Sequence, residues 1–397
     1  MLFFDVTKSR AARHRSGLVR VSERLLAELS ALTPVTPVRW HAGGWMRAGA
    51  GGDIRGTGGG SGGGALGGIA GALARIFCFG GAGTGGGRVA LSEGDTLLTP
   101  ELFSEEERPG FGEFLRTRKC RAAAIFHDAI PLKMPEWCRS KSVARHAGYM
   151  RLLAGFDRVL AISQDARRDL LGFWQWAGVT TGGAFAGNVP VSPPPVVDVV
   201  TWGADFSGAP RVTDTAAPLA PPSLLCVGIV EPRKNHAFLL DVCAALWDSG
   251  LRFTLTVTGR VNTETGTAAA AKLRAFAGRY AGLLRHLPAT GDAALADLYA
   301  NTRAVVFPTL AEGFGLPLIE ALWAGAPCVC SDLPVLREQS AAGGCLLVPP
   351  NDFVAWSTVL REILSDDASV LRLRSVARTR PLPTWRETAA HVLALLP

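Results

Sequence analysis

Short apolar runs alternate with longer amphipathic stretches along the chain, and that alternation predicts two α/β units built on mostly parallel sheets. In the first half the strand candidates are Leu2–Val6, Thr96–Thr99, Ala122–Phe126 and Val159–Ile162. In the second half they are Leu224–Val227, Phe253–Val257, Ala304–Phe307, Cys328–Cys330 and Cys345–Val348. Helix-like segments separate them. Residues 18 to 29 place Leu18, Val21, Leu25 and Leu29 on one helical face, with Arg20, Arg24 and Glu28 elsewhere. Pro190, Pro193, Pro194 and Pro195 precede one more apolar run, and Pro210, Pro218, Pro221 and Pro222 then break any regular element. An interdomain linker is therefore expected at 206–222, between an N-terminal domain at 1–205 and a C-terminal domain at 223–380. The closing stretch from Thr384 to Leu396 reads as an amphipathic helix.

Glycine dominates residues 43–90, an insertion not expected to be regular throughout. Its Gly58-Gly-Gly60-Ser-Gly-Gly63 satisfies the dinucleotide glycine pattern, but so much glycine does so by chance, and no strand leads into it. At 397 residues, 48% of them apolar, the chain can fill two ordinary cores. The formal charge, 41 minus 34 or +7, suits nucleotide phosphates, anionic lipid or nucleic acid without choosing among them. Eight cysteines, at 78, 120, 138, 226, 243, 328, 330 and 345, show neither C-x-x-C spacing nor a nearby histidine cluster. No metal site is indicated, and free thiols suggest a reducing compartment. Asp5 interrupts the opening apolar residues where a signal peptide would continue them, and no 18-residue apolar span occurs. The expected location is cytoplasmic, in solution or on a membrane surface.

The densest chemistry follows the Ala304–Phe307 run. Pro308-Thr-Leu-Ala-Glu312-Gly-Phe-Gly315-Leu-Pro-Leu-Ile-Glu320 sets two carboxylates, with seven residues between them, around a glycine-flanked helix start, with Pro317 suited to its first turn. A loop at the carboxyl end of a parallel strand is where open α/β sheets bind ligands. Gly313 and Gly315 let the backbone approach a ligand, free N–H groups favour an anionic or hydroxyl-rich group, and Glu320 can accept from hydroxyls. Taken singly, either glutamate also fits the plainer role of offsetting a helix dipole. A second loop, Gly228-Ile-Val-Glu231-Pro-Arg233-Lys234-Asn235, leads from the Leu224–Val227 strand into a helix-like stretch. Its arginine offers a planar fork of donors and its lysine a mobile point charge, which suits a diphosphate; a solvated pair in a turn is the plainer alternative. In the first half, Phe126-His127-Asp128-Ala-Ile-Pro131 ends a strand with polar groups, where His127 could equally be satisfied by nearby backbone or by Asp128.

Together these segments resemble the signature of retaining glycosyltransferases of family 4. The resemblance rests on Glu312 and Glu320 with Glu-Gly-Phe-Gly-Leu-Pro intact between them, and on Pro232-Arg-Lys-Asn235 ahead of them. Asp5, Ser16-Gly17-Leu-Val-Arg20, Ala161-Ile-Ser163 and Gly203-Ala-Asp205 are shorter agreements, and residues 43–90 fall outside it. Many relatives carry arginine directly after the loop glycine. This chain has Ile229, so Arg233 and Lys234 would have to carry the diphosphate charge alone.

The resemblance implies the GT-B fold, two Rossmann-like domains facing across a cleft, with residues 384–396 crossing back onto the first. It implies transfer of a hexose from a nucleotide diphosphate sugar, with retention of configuration. The wording leans toward GDP-mannose and bacterial polysaccharide synthesis. By the same resemblance, Arg233 and Lys234 stabilise the leaving diphosphate, Glu312 contacts sugar hydroxyls near the reacting carbon, and His127 faces the donor sugar. Gly17, Gly228, Asn235, Gly313, Phe314, Gly315 and Leu316 would line the donor site, with Glu320 taking the ribose hydroxyls. There is no Asp-x-Asp motif. With two cations in the phosphate loop, no metal and no cofactor beyond the sugar donor are expected.

Rival readings ask for features that the sequence lacks. A nucleotide-sugar epimerase needs a spaced acid and base pair, and a nicotinamide oxidoreductase needs a glycine fingerprint where Thr7-Lys-Ser-Arg-Ala-Ala-Arg-His-Arg-Ser16 stands. A nucleic-acid binder interleaves cations with aromatics, yet Lys8 to Arg24 contains no aromatic, so no nucleic acid is expected. A non-catalytic anionic-ligand-binding protein remains the non-enzyme alternative. The cluster of Lys8, Arg10, Arg13, Arg15, Arg20 and Arg24 suits an anionic leaflet carrying a lipid-linked glycan acceptor, at roughly 1 kcal/mol per charge. A solvated basic loop is the plainer reading of the same residues.

Overall fold

The computed structural model describes residues 1–12, 16–49, 87–178, 195–206, 209–214 and 221–397. Two sheets organise them. The first runs β4-β3-β2-β1-β5-β6-β7-β8, from β1 (Leu2–Asp5), β2 (Val35–His41), β3 (Gly44–Arg47), β4 (Arg88–Val89), β5 (Thr96–Thr99), β6 (Arg121–Phe126), β7 (Arg158–Ala161) and β8 (Val196–Val199). All its pairings are parallel except β2 with β3 and β3 with β4. The second runs β11-β10-β9-β12-β13-β14 and is parallel throughout, from β9 (Ser223–Val227), β10 (Thr254–Thr258), β11 (Leu284–Leu287), β12 (Ala304–Phe307), β13 (Cys328–Ser331) and β14 (Cys345–Val348).

The central strands are covered on both faces, so consecutive residues such as Phe3 and Phe4, Leu97 and Leu98, or Val305 and Val306 are all buried. That produces the continuous apolar runs that are readable in the sequence. Strands outside those runs obey a different rule. In β2 only Val38 and Trp40 are buried, while Arg39 and His41 between and beyond them are exposed. In β11, at the sheet edge, only Leu284 is buried. The glycine-rich insertion is also more regular at its ends than its composition suggests. Gly44–Arg47 and Arg88–Val89 pair antiparallel and extend the first sheet, and the glycine run at 58–63 lies outside the described residues.

Strand order decides where loops diverge. β1 lies between β2 and β5, and β9 lies between β10 and β12, so in each sheet the chain leaves a central strand to one side and returns on the other. Such switch points open a crevice at the carboxyl ends of the strands. In the first sheet that crevice is floored by a buried charge cluster. Arg108 reaches Asp5, at the end of β1, at 2.6 Å and Glu101, just past β5, at 3.3 Å. Glu101 accepts from the backbone N–H groups of Lys8 and Ser9 at 2.5 and 2.7 Å, and Asp5 from Thr7 N at 3.0 Å. The cluster therefore ties down the short Thr7–Ala11 helix, on the path to the Gly17–Leu32 helix.

The Gly17–Leu32 helix packs against the last helix, Trp385–Leu395. Trp385 is fully buried, stacked on Trp202 at 5.2 Å and edge-on to Phe206 at 4.7 Å. Gly203 permits this approach, since a Cβ there would lie 2.3 Å from Trp385 N. Ser16 and Thr384 cap the two helices, the latter through a capping box with Glu387. The chain end thus returns from the second sheet to the first.

Burial, and then the neighbouring Asp5 carboxylate, push Glu101 up to about 7, while the Lys8 and Ser9 N–H groups and Arg108 pull it back. A carboxyl raised on folding binds more protons in the native than in the unfolded state. Its stabilising contribution is complete below the ordinary glutamate value of 4.5 and is lost as pH rises through about 7. Glu101 therefore favours a lower melting temperature at about pH 8 than at about pH 5. The buried His127, His146 and His236, whose proton affinity is lowered, favour the opposite, so its share of the slope is read from the difference between wild type and variant. Glu101→Gln should remove that share, measured by differential scanning fluorimetry across the range. An unchanged slope in the variant would remove Glu101 as its source.

Candidate active site

The loop after β9 begins with a close approach of backbones. A Cβ on Gly259 would sit 2.0 Å from the Gly228 carbonyl oxygen, and Gly259 holds φ +144°, so the first turns after β9 and β10 touch through glycine. Pro232–Lys234 then forms a single 3₁₀ turn, and Asn235, at φ 58°, starts the His236–Asp248 helix. This turn is joined to the loop after β12. The Arg233 carbonyl accepts from Leu310 N at 2.7 Å and from Thr309 Oγ1 at 3.1 Å.

Side chains complete the join. Glu312 Oε1 accepts from Thr309 Oγ1 at 2.8 Å and from Arg233 Nη1 at 3.2 Å, and it pairs with Lys234 Nζ. Arg233 also donates to the Ala311 carbonyl at 2.9 Å and meets Glu231 at 2.8 Å, while Lys234 lies over the Phe307 ring at 4.9 Å. Two cations thus face two carboxylates, largely out of water. Burial opposes ionisation of Glu312, but Lys234 and Arg233 outweigh it and hold the carboxyl below its ordinary range. Burial lowers Lys234, with Glu312 working against that effect. Glu312 Oε2 takes part in none of these contacts.

The helix start beyond Glu312 meets the first domain. Gly313 is required by that contact, because a Cβ would lie 2.6 Å from the His127 carbonyl oxygen. The Gly313 carbonyl accepts from Ser163 Oγ at 2.9 Å, and Glu338 accepts from Gln164 N and Asp165 N at 2.9 and 2.8 Å. Gly315, at φ +97°, turns the chain into the Leu316–Trp323 helix, and Phe314 is buried. Leu316 Cδ1 lies 3.9 Å from the Cβ position of Gly17, so the first turns of the Gly17–Leu32 and Leu316–Trp323 helices adjoin across the domain boundary. His127 Nε2 donates to the Pro100 carbonyl at 2.7 Å, which leaves Nδ1 as the acceptor, and burial lowers its proton affinity.

Gly17, His127, Gly228, Arg233, Lys234, Glu312, Gly313, Phe314, Gly315 and Leu316 therefore converge where the two sheets' carboxyl ends meet. Asn235 does not join them: its side chain donates to Asn351 at 2.9 Å on the surface. Glu320 has protein partners, with Tyr299 Oη donating to Oε2 at 2.8 Å and Arg20 Nη2 at 3.2 Å from Oε1.

The basic cluster near the N-terminus is largely neutralised. Arg20 faces Glu320 and Asp292, Arg24 pairs with Glu28 and Asp205, and Lys8 pairs with Glu107 at 2.9 Å. Arg20 is thus an interdomain residue and not part of a membrane-facing row, because the helix face that carries it is covered by the second domain. Arg10 Nη1 donates to the Gly49 carbonyl, and Arg13 and Arg15 lie outside the described residues. Among the described residues no helix is long and apolar enough to cross a membrane, and no group of three or more His, Cys, Asp or Glu could hold a metal ion. The sequence does not single out Tyr299, Asp292 and Glu338 as site partners, and it marks Ser163 only through the short Ala161-Ile-Ser163 agreement. Thr309, inside the Pro308–Glu320 string, also carries a local signal.

Residues 221–366 match the family described as glycosyl transferases group 1. The serotype-specific mannosyltransferase WbdA of Escherichia coli is 30% identical over 267 residues, 63% of this chain and 31% of that protein. O-antigen chain mannosyltransferase B of Escherichia coli is 32% identical over 172 residues, covering 43% and 44%. The phosphatidyl-myo-inositol mannosyltransferase of Mycolicibacterium smegmatis is 34% identical over 222 residues, covering 55% and 50%. The chain spans between about a third and a half of the length of these relatives. Among solved structures, sucrose-phosphate synthase from Thermosynechococcus elongatus superposes with a TM-score of 0.58 at 20% identity, over 76% of this chain and 72% of that one. The α,α-trehalose 6-phosphate synthase from Burkholderia multivorans does so with 0.56 at 14%, over 76% and 69%. These structural likenesses establish the GT-B fold, and the Arg233–Lys234 loop and the Glu312–Glu320 helix start both lie inside residues 221–366, the part similar to the glycosyl transferases group 1 domain.

Proposed function

We propose that the chain transfers a hexose from a nucleotide diphosphate sugar to a glycan or lipid-linked oligosaccharide, with retention of configuration. Mannose is the sugar named by the mannosyltransferase relatives, and GDP-mannose is the donor this reading adopts. The observation that carries the reading is the convergence of two helix N-termini, at Gly17 and Gly315, beside the buried Arg233–Lys234–Glu312 cluster. Backbone N–H groups from both helices and two cations in one crevice form an environment for a diphosphate.

As the glycosidic bond breaks, negative charge grows on the departing diphosphate, and preorganised cations stabilise that growth. In this reading Arg233 and Lys234 are those cations. Glu312 holds them in place through Oε1 and presents Oε2 to the sugar hydroxyls. His127 presents Nδ1 toward the donor sugar, its other nitrogen being engaged by Pro100. Glu320 takes the ribose hydroxyls. Retention follows if the acceptor attacks on the face from which the diphosphate leaves, with no covalent role for Glu312. The reaction is placed in the cytoplasm and needs no metal.

The test is turnover of GDP-mannose, UDP-glucose and related donors with a lipid-linked or oligosaccharide acceptor, with and without excess EDTA. Transfer from any of them, unaffected by the chelator, is the expected result; loss with EDTA and rescue by magnesium or manganese would end the metal-independent reading. Arg233→Ala and Lys234→Ala should each lower turnover by about 10²-fold or more, because the charge they face grows toward the transition state. Turnover near the wild-type rate in both would take this loop out of the chemistry. Gly313→Ala must push the helix start away from the His127 carbonyl, and a displacement of that order costs roughly 10²-fold. Because nothing in the phosphate loop changes, nucleotide affinity should fall much less than turnover in that variant, as measured by calorimetry beside steady-state kinetics.

A further inference from the structure

Arg20 lies one turn along its helix from Gly17, and Glu320 lies one turn along its own from Leu316, so the contact between the two helix starts is repeated one turn deeper as an ion pair. The Glu320 carboxylate is buried. Its Oε2 accepts from Tyr299, but Oε1 has no hydrogen-bond partner, since Arg20 Nη2 at 3.2 Å supplies charge without hydrogen-bond alignment. A cavity of about 60 Å³ opens beside it, lined in part by Arg20, Phe206, Asp292, Tyr299, Glu320 and Trp323. An ionised carboxylate has spare lone pairs there, and the cavity has room for a hydroxyl group.

We propose that Arg20 is a positioning residue: reaching across the domain boundary, it keeps buried Glu320 ionised and aimed, so that Oε1 can accept a donor ribose hydroxyl. This rests on the donor reading above and extends it to a residue of the opposite domain. The groups facing Glu320 are Arg20 from the first domain and Tyr299 and Asp292 from the Asp292–Ala300 helix, with Cys328 of β13 close to Tyr299. Burial raises the carboxyl above its ordinary value and Asp292 adds to that, while Arg20 and the Tyr299 hydroxyl pull against the rise without reversing it. Arg20 is itself held by Asp292 at 3.6 Å and lies over the Phe206 ring at 4.8 Å, so its charge arrives already oriented.

Calorimetric titration of the full chain with GDP, UDP and ADP at about pH 6 and about pH 8.5 tests this, using the nucleotide that the wild type binds most tightly. Without Arg20 the carboxyl rises further, so Arg20→Met should weaken binding by about 10-fold at the lower pH and recover as pH rises. Arg20→Lys, which restores the charge, should behave like wild type. Glu320→Gln should weaken binding at both pH values, and the Arg20→Met/Glu320→Gln double variant should be no weaker than Glu320→Gln alone. Tyr299→Phe keeps the packing of a buried ring and should show the same recovery with pH at smaller size, which keeps the idea testable if Arg20→Met does not fold. Additive losses, no recovery with pH, or tighter binding by Arg20→Met would overturn the positioning role while leaving the donor site standing. Wild-type protein that binds none of the three nucleotides would overturn the donor reading, and this role with it.

Discussion

The buried pairing of Arg233 and Lys234 with Glu312 is the interaction on which the rest of the site depends. Charges removed from water are tolerated only when each has a partner and further hydrogen bonds, and here the partners come from loops 79 residues apart in sequence. Thr309 Oγ1 and the Arg233 carbonyl supply the additional bonds, so the turn after β9 and the loop after β12 behave as one unit. That unit fixes the approach of Gly313 to the His127 carbonyl and the start of the Leu316–Trp323 helix. A ligand anion entering beside it would meet cations that are already oriented and a carboxylate with one oxygen still available.

The same economy of buried charge appears in the first domain. Arg108 serves both Asp5 and Glu101, and those carboxylates cap the backbone that leads toward Gly17. One cluster therefore sits at each switch point, beneath β1 and β5 in one sheet and beneath β9 and β12 in the other. Strand order places the crevices, and the clusters hold their rims. Across the boundary the contacts are polar and specific, through Ser163 with Gly313, the Gln164 and Asp165 N–H groups with Glu338, and Arg20 with Glu320. Trp385, between Trp202 and Phe206, adds an apolar tie at the end of the chain.

Net charge shows how composition can mislead about a surface. Lys8, Arg20 and Arg24 read along the chain as part of a row of cations, yet each is opposed by a carboxylate brought in from elsewhere: Glu107, Glu320 with Asp292, and Asp205. The excess of seven positive charges belongs to the whole chain and does not identify a membrane-facing patch. What the N-terminal cations do is set by the elements that cover them.

Local sequence determined the buried parallel strands, because a strand covered on both faces must be apolar at consecutive positions, as in Phe3-Phe4 or Val305-Val306. It also determined the two glycine-bearing loops and the Glu312–Glu320 helix start, since a left-handed Gly315 and a proline in the first helical turn are local requirements. It did not determine β2, β3 or β11, where half-buried or edge positions alternate with polar residues and no continuous apolar run forms. Nor did it assign the partners that give the site residues their charge and aim. Tyr299, Asp292 and Glu338 carry no motif and Ser163 only a three-residue one; they matter because strand order and domain contact place them within hydrogen-bond or ion-pair reach of groups far away in sequence. Only the tertiary structure could decide that Arg20 faces a buried glutamate across a domain boundary, since pairing of charges depends on distance in space, which a one-dimensional pattern of residue types does not contain.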